Sequence, residues 1–294
     1  MTITVLDTSA GMRAVLSADP SQRPDALRRM LAPTKGMFRY FSDEVDLAAM
    51  HAMSLGFPID RHLEESSRAL ARLDEADAWT RIETSLAEAV RVQTAALPAI
   101  VVPDITVLLV LGDPGDDYFM GPARGFTGNG SMTGFIALTV WPTDENLGRL
   151  EAAAAHELQH NLRYAPGGVV WNPASVMVGE QIVSEGLADA FARELFGDIG
   201  YTPMGAAHLH DDDVFDKVVS GLRVDGMQNF TAWVHGDEAA RRFGAAPMGV
   251  PTGAGYAVGN RLVDAFLQST GMSASQALHV DSHEVIDVAL RALR

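Results

Sequence analysis

The sequence predicts an α+β protein, with an N-terminal lobe of small sheet and long helices and a mainly helical C-terminal lobe. Three observations carry this. Ile105 to Leu111 and Phe135 to Trp141 are short apolar runs rich in β-branched residues, bounded by Pro or Gly, as buried strands are. Asp60 to Leu97 sets Leu63, Leu70, Leu73, Ile82, Leu86 and Val90 at helical spacing. From Glu145 onward the pattern is helical, interrupted at Pro166-Gly167-Gly168, Asn172-Pro173, Gly197 to Pro203 and Ala245 to Gly253.

Taken in order, Ile3 to Leu6 reads as a first strand ended by turn formers. Pro24 to Leu31 reads as a short helix opened by Ser21 and Pro24. The Asp60 to Leu97 stretch makes one or two amphipathic helices, and the strand at Ile105 follows Pro103. Gly121, Gly125, Gly128, Gly130 and Gly134 then crowd one segment, which is either a flap over a cleft or a plain connection. Arg124 and Asn129 lie within it and could meet a substrate. The strand at Phe135 stops at Pro142. Thr143 to Tyr164 is a single helix with Thr143 or Asp144 as N-cap, and Ser175 to Phe196 is another, closed by Gly197. His208 to Asp213 mixes His and Asp after a Gly/Pro loop and reads as the acidic start of a helix. The expectation is one domain over residues 1–294, with lobes of about 1–166 and 167–294 that share a site.

Composition narrows the chemistry. A hydrophobic content of 47% excludes disorder as the main state. A net charge of −16 repels polyphosphate and anionic headgroups, so nucleic acid and membrane surfaces are poor partners. No run reaches the roughly 20 apolar residues of a bilayer span, and the opening residues do not read as a secretory signal, so a cytoplasmic protein is expected. The chain has no cysteine. A metal here must therefore sit on His, Asp, Glu or backbone oxygen.

Such a set is present. His156-Glu157-Leu158-Gln159-His160 places two imidazoles one helical turn apart, with a carboxylate beside them. Leu147, Leu150, Ala154, Leu158 and Leu162 form a core stripe on the other side of that helix. Zinc in a hydrolytic site takes three protein ligands and leaves a position for water. The spacing excludes the metzincin extension, because Arg163 and Pro166 stand where Gly and His would be needed. Glu185 is the third-ligand candidate, because Asp189 follows it by one turn and can accept a hydrogen bond from a ligand imidazole, most naturally His156. Glu180 competes, but Ser184 is the residue one turn after it. Zinc lowers the pKa of its bound water to about 7, and Glu157 stands in position to take the proton as general base.

His156-Glu157-x-x-His160 with Glu185-x-x-x-Asp189 resembles the gluzincin, thermolysin-like metallopeptidases, which bind one zinc through two His and one Glu. The whole chain is similar to a bacterial family of predicted zinc-dependent protease domains of unknown function, in which a short α/β half precedes the zinc helix. Gly255-Tyr256-Ala257-Val258-Gly259 matches that family's Gly-Tyr-x-x-Gly helix. The resemblance implies a metallopeptidase acting on peptides or unfolded protein. It also implies a Tyr or His that stabilises the oxyanion, with Tyr256 first and His235 second, and a strand edge that holds an extended peptide, for which Phe135 to Trp141 is the candidate. The sequence leaves open a zinc-binding scaffold without turnover, and a zinc hydrolase of another amide or ester.

Overall fold

The computed structural model describes residues 2–41 and 43–293. The fold is α+β and divides into two compact units, Met1–Glu88 with Pro103–Glu157, and Ala89–Val102 with Leu158–Arg294.

The first unit is organised by a four-stranded sheet. Strand β1 (Ile3–Val5) leads into α1 (Thr8–Ser17), α2 (Arg23–Leu31), α3 (Leu47–Met53), α4 (Leu63–Glu75) and α5 (Ala78–Ala96). Then come β2 (Ile105–Leu111), α6 (Asp117–Met120), β3 (Phe126–Asn129), β4 (Phe135–Val140), α7 (Asp144–Gly148) and α8 (Leu150–Arg163); the unit boundaries at Glu88 and Glu157 fall within α5 and α8. The strand order is β1-β2-β4-β3, parallel except for β3, which runs antiparallel to β4. Six of the seven β2 residues are buried, as an apolar run flanked by strands on both sides requires.

This order corrects the expected peptide edge. Phe135 to Trp141 does form a strand, but β4 is interior, flanked by β2 and β3, so its backbone has no open edge. The Gly-rich segment takes the edge instead. It folds back as β3 because Gly125 and Gly134 adopt φ of +72° and +89°, where glycine bears no Cβ penalty, and Trp141 N–H bonds the Gly125 carbonyl at 2.7 Å. The segment is therefore more than a plain connection, since part of it pairs with β4.

Two helix assignments in this unit also differ from expectation. Helix α1 forms among residues whose types predict turns. Asp7 caps it by accepting from Ala10 N–H at 3.1 Å, and Thr8, Met12 and Val15 bury one face. The stretch from Asp60 forms two helices, within the expected one or two, with the break at Asp77, whose φ is +51°. The expected single helix from Thr143 divides at Gly148-Arg149. Thr143 caps α7 through Asn146 N–H, and the Asn146 amide donates to the carbonyls of Arg124, Gly125 and Trp141, so α7 anchors the β3–β4 hairpin and α8 starts afresh.

Within this unit His51 is buried, its Nε2–H donating to the Phe57 carbonyl at 3.1 Å. Burial pushes its pKa from 6.5 down to about 4. The folded state thus binds fewer protons than the unfolded chain between these values, and His51's contribution, complete above pH 6.5, is lost as pH falls toward 4. Urea unfolding at pH 7 and pH 4 should show a loss about 3 kcal/mol larger for the wild type than for His51→Gln. Equal losses in both proteins would refute this account.

The second unit is helical: α9 (Val178–Phe196), α10 (Asp212–Gly221), α11 (Asp237–Arg242), α12 (Ala254–Thr270) and α13 (Ser282–Ala292). Helix α9 is buried from Val178 to Ala192. It starts three residues later than expected because Ser175 closes a turn on Asn172 and Val176 and Met177 are tied to a neighbouring segment, Gly226 N–H bonding Val176 O and Met177 bridging Asp225. Its crossing with α12 depends on Gly186 and Gly259: a Cβ on Gly259 would strike the Ile182 carbonyl, and one on Gly186 would strike Gly259 itself. Close backbone approach is thus the reason for the second Gly of Gly-Tyr-x-x-Gly. Asp211 caps α10 through Val214 N–H at 3.1 Å, in keeping with the helix-start reading of His208 to Asp213. No described helix is long and apolar enough to cross a membrane.

Candidate metal centre

Helix α8 delivers His156 and His160 on successive turns, and both are buried at 7% and 4% exposure, as is Glu157 at 6%. The helix is buried nearly all round, so the face opposite the leucine stripe meets protein and not solvent. Helix α9 supplies Glu185, also buried. Ligand atoms of His156, His160 and Glu185 all lie within 4.8 Å of one another.

The donor set fits zinc. Two imidazole nitrogens and one carboxylate oxygen are typical of hydrolytic sites, and ligand atoms bonded at about 2.0–2.2 Å to a tetrahedral ion stand ~3.3–3.6 Å apart. His160 Nε2 lies 3.4 Å from Glu185 Oε2. Glu180 is committed elsewhere: its carboxylate takes Arg163 Nε and Nη2, both at 2.8 Å, and the Tyr164 hydroxyl at 3.0 Å.

Arg163 and Glu180 form a buried ion pair, with the guanidinium fully enclosed. Burial opposes the Arg163 charge, but the Glu180 carboxylate and its hydrogen bonds outweigh that and hold the pKa raised. Nη1 also donates to the carbonyls of Leu278 and Val280. Nothing local marks this role, since an Arg in a last helical turn reads equally well as a dipole partner. Tyr164 is pushed well above its usual pKa, first by burial and then by the Glu180 charge, so it is a phenol at any working pH.

Asp189 is fully buried. Its carboxylate accepts from Thr202 N–H and Oγ1–H, at 3.0 and 2.7 Å, and from the Asn260 amide at 2.7 Å. Tyr256 and His235 come together, Oη lying 3.4 Å from Nδ1. His235 ends a single π-helical turn, Thr231–His235, a rare geometry frequent at functional sites. Burial lowers its pKa, and the Glu185 charge pulls it back up, so His235 lies within electrostatic reach of the third ligand candidate.

Glu157 faces the sheet edge. A Cβ on Gly128 would land on the Glu157 carboxylate, and one on Gly130 on the Glu157 backbone. The two glycines let β3 pass directly against this residue. The density of glycines in this segment is visible in the sequence, but which of them meets Glu157 is not. Arg124 pairs with Glu145, its Nη2 donating to both carboxylate oxygens at 2.9 and 2.7 Å.

A model of the family described as "Predicted Zn-dependent protease (DUF2268)" matches residues 85–287, more than half of the chain. The chain belongs to this family. The matched region holds β2, β3, β4, α8, α9 and α12, and so every residue of the centre. YjfC of Bacillus subtilis (strain 168), an uncharacterized protein by its printed name, is 31% identical over 242 residues, 81% of this chain and 78% of that protein. No solved structure matches the chain.

Proposed function

We propose that the protein is a gluzincin-like zinc metallopeptidase, with one zinc per chain held by His156, His160 and Glu185. The observation that carries this reading is the buried cluster of two imidazoles and a carboxylate, with Glu157 beside it in sequence. When bound, zinc supplies Lewis acidity to a substrate carbonyl and to water. Glu157 takes the proton as water attacks and returns it to the leaving amine. Tyr256, with His235 against its hydroxyl, donates to the developing oxyanion. Asp189 accepts a hydrogen bond from the His156 imidazole and fixes its orientation.

The substrate is an extended peptide or unfolded segment that adds to the outer edge of β3. Backbone pairing along that edge makes little demand on sequence. Gly128 supports the assignment, since without a side chain there the Glu157 carboxylate lies directly against β3.

The test is metal analysis followed by peptide-library digestion. One zinc per chain and chelator-sensitive cleavage are expected, with zinc lost in Glu185→Ala. Zinc without cleavage would favour a scaffold, cleavage confined to non-peptide amides or esters would move the substrate class, and absence of stoichiometric zinc after reconstitution would sink the reading.

A further inference from the structure

His160 turns its two ring nitrogens to different neighbours. Nε2 faces Glu185 Oε2 at 3.4 Å, on the side of the ligand cluster. Nδ1 lies 2.9 Å from Ser184 Oγ. Behind Ser184 stands Tyr164, hydrogen-bonded to the serine hydroxyl and donating its own proton to Glu180 Oε1 at 3.0 Å. Arg163 holds both oxygens of that carboxylate.

The direction of every bond in this chain follows from its far end. An ionised carboxylate only accepts, so the Tyr164 O–H points at Glu180. The phenol oxygen then has only lone pairs to offer Ser184, and the serine O–H points at Tyr164. The serine oxygen is left to accept from His160, which must carry its proton on Nδ1. Nε2 is thereby the unprotonated nitrogen, the form that binds a metal.

We propose that Ser184 and Tyr164 are positioning residues for the metal ligand, relaying the Glu180 charge to His160 and presenting Nε2 to zinc. This rests on the zinc reading above. Metal-bound histidines commonly donate their other N–H straight to a carboxylate or carbonyl. Here the carboxylate works through two hydroxyls because Glu180 is anchored by Arg163, one turn of α9 before Ser184. Neither hydroxyl touches substrate, so the role is orientation and ligand basicity.

The experiment compares wild type, Ser184→Ala, Ser184→Thr and Tyr164→Phe by competition for zinc with a chromogenic chelator, and by the visible absorption of the cobalt(II) forms. Ser184→Ala should bind zinc about 10–100-fold more weakly, with an altered cobalt band. Tyr164→Phe should weaken binding in the same direction by less. Ser184→Thr, which keeps the hydroxyl, should restore both readouts. Wild-type affinity and an unchanged cobalt band in Ser184→Ala would overturn the proposal, as would an unchanged Tyr164→Phe if the serine variants fail to fold. A wild type that takes up no zinc would overturn the metal reading itself, and this failure is visible before any variant is compared.

Discussion

Glu157→Gln is expected to lower peptide hydrolysis by about 10²–10⁴-fold, the usual worth of a general base, while zinc content stays at the wild-type level. Gln keeps the shape of the side chain and loses its basic oxygen. Glu157 lies outside the three-residue cluster, so the metal should not notice the change. A second variant reaches the same group from the sheet. Gly128→Ala places a methyl where the Glu157 carboxylate now lies, and Gly128 is not at positive φ, so the strand itself can accept alanine. The carboxylate, at the far end of a flexible side chain, must give way. The expected result is a fall in kcat with zinc retained and the melting temperature little changed. Comparing kcat, zinc stoichiometry and thermal melting across the two variants checks this directly. Turnover within tenfold of wild type in Glu157→Gln would remove this residue as the base.

These two residues differ in how far the sequence revealed them. His156, Glu157 and His160 were legible because a helix enforces its own geometry: residues four apart share a face whatever the rest of the chain does. Glu185 stood out from Glu180 because an acidic residue, Asp189, follows it by one helical turn, whereas Ser184 follows Glu180. Strands β2 and β4 announced themselves as β-branched runs between breakers. Strand β3 did not, because Phe-Thr-Gly-Asn has neither alternation nor an apolar run, and its pairing is decided by β4 and by the approach to Glu157. The interior position of β4 followed from that miss. Helix α1 escaped because its start lies in Asp7, among residues that also make turns. The Ser184, Tyr164 and Glu180 relay was invisible for another reason. It joins two helices through side chains some 20 residues apart, and no local rule says which polar residues of two buried helices will meet.

Breaking the Arg163–Glu180 pair should produce the largest change in stability. Arg163→Met would leave the Glu180 carboxylate buried without its counter-charge and free the carbonyls of Leu278 and Val280 of their donor. Removing one partner of a buried ion pair costs about 3–5 kcal/mol, a large share of the roughly 5–15 kcal/mol that holds a typical domain together. Arg163→Lys should recover little, since one ammonium cannot span two carboxylate oxygens and two carbonyls at once. The double variant Arg163→Met with Glu180→Leu buries no lone charge and should regain much of the loss. Urea midpoints at constant m-value would measure each step. Zinc affinity then separates what stability alone cannot. If Glu180 serves only to neutralise Arg163, the stabilised double variant should bind zinc as the wild type does. If it also terminates the hydrogen-bond chain to His160, the double variant should fold well and still bind zinc more weakly, matching Tyr164→Phe in direction.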